Sequence, residues 1–200
     1  AVGNNAFGDS TMTHLHRCIG IGYNCKASSS SGDRQIVMGY NADGWQNGGQ
    51  IFEIDSTYTR VDIGSTTWAS SSDERIKENI QDSTAGLSFI NDLRPRTFNF
   101  KMKKDLPTTF KGYEEGSTVR TKGGDETTNH GFIAQEVKTA LDNHSEVKDG
   151  SKIWSDAGPA VHGGIQNVAP TALIPMLVKA VQELSTELDA AKARITTLEG

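Results

Sequence analysis

Ser72-Asp73-Glu74-Arg75-Ile76-Lys77-Glu78-Asn79-Ile80 marks the point at which this 200-residue chain changes character. Before it, residues 1–71 are rich in Gly, Ser, Thr and Asn, and their apolar stretches at 18–21, 36–38 and 51–54 are short. No 3.6-residue period survives there. Short strands between Gly, Asn and Asp turns are therefore expected. After it, amphipathic periods return, and the chain ends in a long, regular one.

Composition limits what the chain can be. Hydrophobic residues make up 35%, and even with the 21 glycines added the chain sits at the low end of the roughly 45–50% of globular proteins. One large core is not expected; an elongated or oligomeric protein that buries surface between chains fits better. A net charge of −5 argues against a sequence-independent nucleic-acid binder, which needs a basic face. No apolar run reaches the roughly 18 residues of a membrane span, so no membrane insertion is expected. The opening AVGNNAFGDS has neither a basic start nor an apolar run, as a signal peptide would. It also lacks an initiating Met, so the chain reads as the C-terminal piece of something longer. Cys18 and Cys25 are too few for a disulfide framework. With His14 and His16 they form H-x-H-x-C-x6-C, which matches no common zinc spacing. Side chains on a strand are the expected reading, with no metal and no cofactor.

The first 71 residues carry a weak repeat. Val2-Gly3-Asn4-Asn5-Ala6 returns as Ile21-Gly22-Tyr23-Asn24-Cys25 and as Met38-Gly39-Tyr40-Asn41-Ala42, the copies starting 19 and then 17 residues apart. Each reads apolar–Gly–x–Asn–small. Such a step fits a solenoid or β-roll, with Gly permitting the corner and Asn tolerating the left-handed conformation beside it. Isolated glycine turns of any β domain share the same residues. The copies resemble the apolar-G-x-N-A repeats of trimeric β-roll heads in adhesins and phage fibres. Further on, 28–33 reads as a loop and 45–49 as a turn, while 50–54 and 58–63 alternate as a pair of strands.

Downstream, Leu87, Ile90 and Leu93 predict a short helix over 83–93, capped by Ser83 or Thr84 and stopped at Arg94-Pro95. Residues 97–101 alternate as a strand. Residues 102–129 read as a long projecting hairpin or loop. Gly131-Phe132-Ile133 reads as a strand that leads into a helix over 135–141, and 142–166 as a polar stretch.

The C-terminus holds Ile174, Leu177, Val181, Leu184, Leu188, Ala191, Ile195 and Leu198 in unbroken steps of three and four. That is a heptad register with Ile174 at a and Leu177 at d. Glu187 and Lys192, then Arg194 and Glu199, fall at g and the following e, attractive between parallel in-register helices. Leu173, Val178 and Ala180 widen the stripe and favour three or more strands, whereas Ile and Val at a with Leu at d favour two. A single helix packed on its own domain is the alternative.

Four blocks in order resemble one family. Ser72-Asp73-Glu74-Arg75-Ile76-Lys77-Glu78-Asn79-Ile80 is similar to the S-D-x-R-x-K-x-x-I opening of the intramolecular chaperone of phage tailspikes, tail fibres and endosialidases. Leu93-Arg94-Pro95 with Phe98, Phe100 and Lys101 resembles its LRP-x-x-F-x-[WF]-K. The run Gly131-Phe132-Ile133-Ala134-Gln135-Glu136-Val137 resembles its GFIAQEV block, and Leu173-Ile174-Pro175 through Leu184 its terminal helix. The resemblance spans 72–200. It implies self-cleavage of the Ser71–Ser72 bond, with Ser72 as nucleophile and Lys77 as base; Asp73, Arg75, Gly131, Gln135 and Glu136 are the supporting motif residues. Of Ser70, Ser71 and Ser72, only Ser72 has Asp, Arg and Lys at the family spacing.

The chemistry sets demands. A serine hydroxyl needs a base to take its proton, and a lysine amine serves only when neutral, through desolvation or a neighbouring cation. Arg75 stands near enough in sequence to be that cation; Asp73 and Glu74 would oppose it. An offset of five residues turns about 140° on a helix and puts the side chains on opposite faces of a strand. The segment must bend, or the lysine must come from another chain.

The expected protein is α+β: a β-rich trimeric fibre segment over 1–71, then a mixed α/β chaperone over 72–200 that ends in a parallel coiled-coil helix at about 171–199. The expected function is folding and trimerisation of a tail fibre or spike, followed by release through autoproteolysis. Its partners would be two further copies and the upstream shaft of the same polypeptide. It would reside in the virion tail after assembly in the host cytoplasm. Two other readings remain: a permanent uncleaved fibre tip that binds a host receptor, and a relative that releases a membrane-tethered transcription factor, which would need a membrane span after the domain.

Overall fold

A computed structural model describes residues 1–8, 15, 17–28, 33–45, 49–55, 57–62, 64–122, 127–148, 152–156, 158 and 163–199. His14 and His16, most of the 28–33 loop and part of the 45–49 turn lie outside the described residues. The chain divides into two compact units, Ala1–Ile80 and Gln81–Gly200.

The first unit is built on the repeat. Strands β1 (Ile19–Tyr23), β2 (Ile36–Tyr40) and β3 (Gln50–Ile54) lie side by side and parallel; β4 (Thr57–Val61) and β5 (Ala69–Ser70) add antiparallel. Equivalent repeat positions stack: Val2 bridges Ile21, Ile21 faces Met38, and Met38 faces Phe52. The glycine makes this stacking possible. Gly22 and Gly39 have φ of 127° and 140°, and a Cβ on either would come within 2.0 Å or less of the next rung's carbonyl oxygen. The asparagines occupy the left-handed region at φ 55°, 50° and 51° and hydrogen-bond up the stack. Asn5 Nδ2 donates to Asn24 Oδ1 (2.9 Å), Asn24 to Asn41 (3.1 Å) and Asn41 to Asp55 (2.7 Å).

That last bond identifies a fourth rung, Phe52-Glu53-Ile54-Asp55, with neither Gly nor Asn. Glu53 lies outside the left-handed region, and the strand after it runs antiparallel, so a side chain is accommodated there. Its carboxylate accepts from the Asp43 amide at 2.8 Å. Inside the coil, Cys25, Val37, Ala42 and Ile51 form the core, with Phe7 and Tyr58 packed against it. Burial pushes the Cys25 thiol up. Gln35 is also fully buried, and Ser28 satisfies it from backbone and side chain. The outer face of the same sheet is apolar as well: Ile19, Ile21, Tyr23, Tyr40, Phe52 and Ile54 are exposed.

The second unit packs α1 (Leu87–Asp92), α2 (Ala134–Asn143), α3 (Ser145–Lys148) and the start of α4 (Ile174–Glu199) around Phe89, Leu93, Val137, Leu141, Ile153 and Leu173. Two small antiparallel ladders join it. They are β6 (Arg96–Phe98) with β7 (Asn129–Gly131), and β8 (Trp154–Asp156) with β9 (Gln166–Val168). The His144 ring bridges Asp92 and Glu146 at 2.8 and 2.9 Å, and these carboxylates raise its pKa.

Several expectations need correction. The 83–93 helix is only α1, because Gly86 leaves helical geometry and Ser83 Oγ accepts from the Ala85 amide in a local turn. The helix start is capped by Glu183 of α4, whose carboxylate accepts from the Leu87 amide at 2.7 Å. The strand at 97–101 shortens to β6, and the Gly131 strand ends where its Phe132-Ile133 was expected to continue it. Of the hairpin or loop expected from residue 102 on, residues 102–122 take the hairpin form: Lys103 N donates to Val119 O and Thr121 N to Lys101 O at 2.8 and 2.9 Å. The 142–166 stretch contains α3, β8 and the fully buried Ile153. Leu173 and Ala180 are buried within this unit, so they widen the helix's apolar stripe for packing within the chain and say nothing about strand number. Among the described residues no helix is long and apolar enough to cross a membrane, and no group of His, Cys, Asp and Glu is arranged to hold a metal.

Gly39→Ala is expected to destabilise the first unit by more than about 3 kcal/mol, since it adds left-handed strain to a backbone clash. Gly64→Ala, at φ 84° in open space, is expected to cost about 1 kcal/mol. Urea unfolding followed by circular dichroism compares the two.

Candidate functional site

Antiparallel pairing holds β5 to β4, with Thr59 opposite Ser70 and Arg60 opposite Ala69. Ser71 extends this pairing by one residue: its amide donates to Tyr58 O at 3.1 Å. The chain then leaves the sheet. Asp73 (φ −68°, ψ 138°) caps a 3₁₀ turn over Glu74–Ile76, accepting from the Arg75 amide at 2.9 Å. The turn closes through Ile76 N to Asp73 O and Lys77 N to Glu74 O, and Lys77 is extended again at φ −124°, ψ 148°.

This bend solves the five-residue offset within one chain. Lys77 Nζ lies 2.6 Å from Ser72 Oγ, within hydrogen-bond reach. A short turn followed by an extended residue folds the long lysine side chain back onto the start of the segment, which neither a regular helix nor a strand achieves. A groove of about 560 Å³ runs beside the pair, lined by Tyr58, Ser70, Ser71, Ser72 and the turn residues Asp73, Arg75 and Ile76. Both Ser72 and Lys77 are exposed to solvent in the single chain, as are Ile76 and Ile80.

Arg75 does not serve as a free cation. Its guanidinium forks onto Asp73, with Nε to Oδ1 at 2.9 Å and an Nη to Oδ2 at 2.7 Å. That pairing holds the Asp73 carboxyl below its usual range and raises the guanidinium. Asp73 and Arg75 thus neutralise each other and brace the turn that carries Lys77.

The other motif residues lie in the second unit. Glu136, in the first turn of α2, accepts from Arg96 Nε at 2.9 Å and from both Arg96 and Arg94 at its other oxygen. The Arg96 hydrogen bond lowers its pKa. This fork joins the Leu93-Arg94-Pro95 block to the GFIAQEV block. Gly131 closes β7 against Phe98, and Gln135 is exposed on α2. On α4 the positions Ile174, Leu177, Val181, Leu184, Leu188, Ala191, Ile195 and Leu198 are all exposed. Two participants went unread in the sequence, the Tyr58 backbone and the Ser71 side chain. Strand pairing across 13 residues leaves no local pattern.

The segment that opens with the Ser72–Lys77 pair matches the family model described as chaperone of endosialidase, over residues 72–146. The match supports an intramolecular chaperone domain in this part of the chain. By its name the same family is also one of serine peptidases. The match starts at Ser72, so its residues 72–80 fall in the first compact unit. No curated protein and no solved structure matches the chain.

The Asp73 carboxyl is expected to titrate below the roughly 3.9 of a free aspartate, and Arg75→Ala to return it to that range. The ion pair persists above the lowered pKa and is lost as pH falls through it. Carboxyl ¹³C shifts followed against pH read this directly.

Proposed function

We propose that this chain is the C-terminal end of a phage tail fibre or tailspike, whose chaperone domain assembles three copies and then frees itself by cutting the Ser71–Ser72 bond. The observation that carries the reading is the 2.6 Å approach of Lys77 Nζ to Ser72 Oγ at the first residue of the chaperone match.

The step is an acyl transfer. Neutral Lys77 takes the Ser72 hydroxyl proton, and Oγ attacks the Ser71 carbonyl carbon through a five-membered ring. The C–N bond breaks, the Ser72 nitrogen leaves as an amine carrying the proton from lysine, and the Ser71 acyl group is left as an ester on Oγ. Water then hydrolyses the ester to the Ser71 carboxylate and regenerates the hydroxyl. A solvated lysine stays protonated, whereas desolvation favours the neutral base. The exposure of both side chains in the single chain therefore supports a site completed by neighbouring copies, so that cleavage follows assembly.

The exposed heptad seam of α4 supports a parallel coiled coil, and the apolar outer face of β1–β3 supports burial between copies in the fibre segment. A fibre of stacked parallel strands nucleates slowly, and a terminal trimeriser raises local concentration and sets register. Once cut, the shaft has lost its route back to monomer and is held kinetically. The hairpin at 102–122 is positioned in sequence to act as an arm of the chaperone that contacts the folding shaft.

Intact mass of freshly expressed protein is expected to give two fragments parting between Ser71 and Ser72 in the wild type, and one uncut chain in Ser72→Ala and in Lys77→Ala. One uncut chain in all three moves the permanent receptor-binding tip ahead. Leu188→Lys, at the seam and away from the packed start of α4, is expected to abolish the trimer in analytical ultracentrifugation while leaving the secondary structure of each unit in place.

A further inference from the structure

The bond before Ser72 is held in an unusual way on its acyl side. In an antiparallel hydrogen-bonded pair, the two residues exchange both N–H···O=C bonds. Tyr58 and Ser71 occupy such a pair, two steps along the ladder from Arg60 and Ala69. Only half of the exchange is made. Ser71 N donates to Tyr58 O at 3.1 Å, but Tyr58 N donates to Ser71 Oγ at 3.0 Å. The side-chain hydroxyl takes the amide that regular pairing would give to the Ser71 carbonyl. Among the described residues, that carbonyl oxygen accepts no hydrogen bond. The Ser71 hydroxyl is held in turn by Tyr58 O at 3.4 Å, and the Tyr58 ring is packed against the core of the first unit.

We infer that Ser71 is a positioning residue for self-cleavage: its hydroxyl diverts the Tyr58 amide and keeps the scissile carbonyl out of the sheet. The inference rests on the cleavage proposed above. Ring closure by Ser72 Oγ requires the Ser71 carbonyl to turn its face toward a neighbour on the same peptide. A ladder bond would fix that carbonyl in the plane of the sheet. With the amide satisfied elsewhere, the strand still anchors Ser71 through its own N–H while the carbonyl is free to rotate. The sheet therefore holds the acyl side by one bond and releases the reacting group.

Self-cleavage is followed by intact mass over time in wild type, Ser71→Ala and Ser71→Thr, with melting temperatures of the uncut Lys77→Ala forms of each. Without the hydroxyl, Tyr58 N–H turns to the carbonyl of residue 71. The expected result is a rate roughly threefold to tenfold lower for Ser71→Ala, the reach of one ordinary hydrogen bond, with no drop in melting temperature. Threonine keeps the hydroxyl and suits a strand, so Ser71→Thr is expected to cleave like wild type. In the uncut Lys77→Ala background, the residue-71 carbonyl ¹³C resonance is expected to move downfield in Ser71→Ala as it gains the bond.

Equal rates in wild type and Ser71→Ala, or a Ser71→Thr as slow as Ser71→Ala, overturn the inference and leave the cleavage reading intact. A slow Ser71→Ala with a lowered melting temperature and an unmoved carbonyl resonance overturns it too, as a purely structural role. An uncut wild type sinks the cleavage reading, and this inference with it.

Discussion

A carbonyl oxygen stands where the Cβ of Gly39 would be. Only glycine tolerates that approach together with a φ of 140°, and the first unit depends on it. Close stacking at Gly22 and Gly39 sets the register of β1, β2 and β3, and the asparagine ladder locks the adjoining corners. Register at β3 fixes its hairpin with β4, and β4 fixes where β5 and Ser71 lie. The turn that brings Lys77 to Ser72 starts from that anchored edge. The position of the candidate nucleophile is thus traced through strand pairing to a steric fact three strands away.

The long helix α4 illustrates one element under two demands. Leu173, just before it, and Ala180 bury against its own unit, and Glu183 caps α1 across that contact. The a and d positions occupy a neighbouring face of the helix and remain exposed. The first turns therefore belong to the chain's own core, while the stripe beside them stays exposed. A heptad count alone mixes the two sets, because both obey the same three- and four-residue spacing.

How much was legible follows from the range of each interaction. The Gly–x–Asn repeat was readable because each rung imposes the same backbone conformation on the same residue types. Its fourth copy was not, since Glu53 and Asp55 satisfy the end of the stack with different residues. The Ser72–Lys77 pairing could be posed as a problem from the offset of five, and the bend that solves it rests on local chemistry, an Asp cap and a 3₁₀ turn. The α1 boundary was misread because its cap is Glu183, almost a hundred residues away. Ser71 was named as one side of the expected scissile bond, but the contact of its hydroxyl with Tyr58 was invisible for the same reason: a diverted ladder bond exists only once two strands are paired.

The neutralisation of Arg75 by Asp73 bears on how the candidate base can work. Had Arg75 stood free beside Lys77, a local cation would have favoured the neutral amine within a single folded chain. With that charge paired, desolvation is the remaining route, and the single chain leaves Ser72 and Lys77 in water with Ile76 and Ile80 exposed nearby. A cover that buries two isoleucines also excludes water from the pair. On the function proposed above, the same contact would stabilise an assembly and switch on its chemistry, and cleavage would follow completion without any separate sensor.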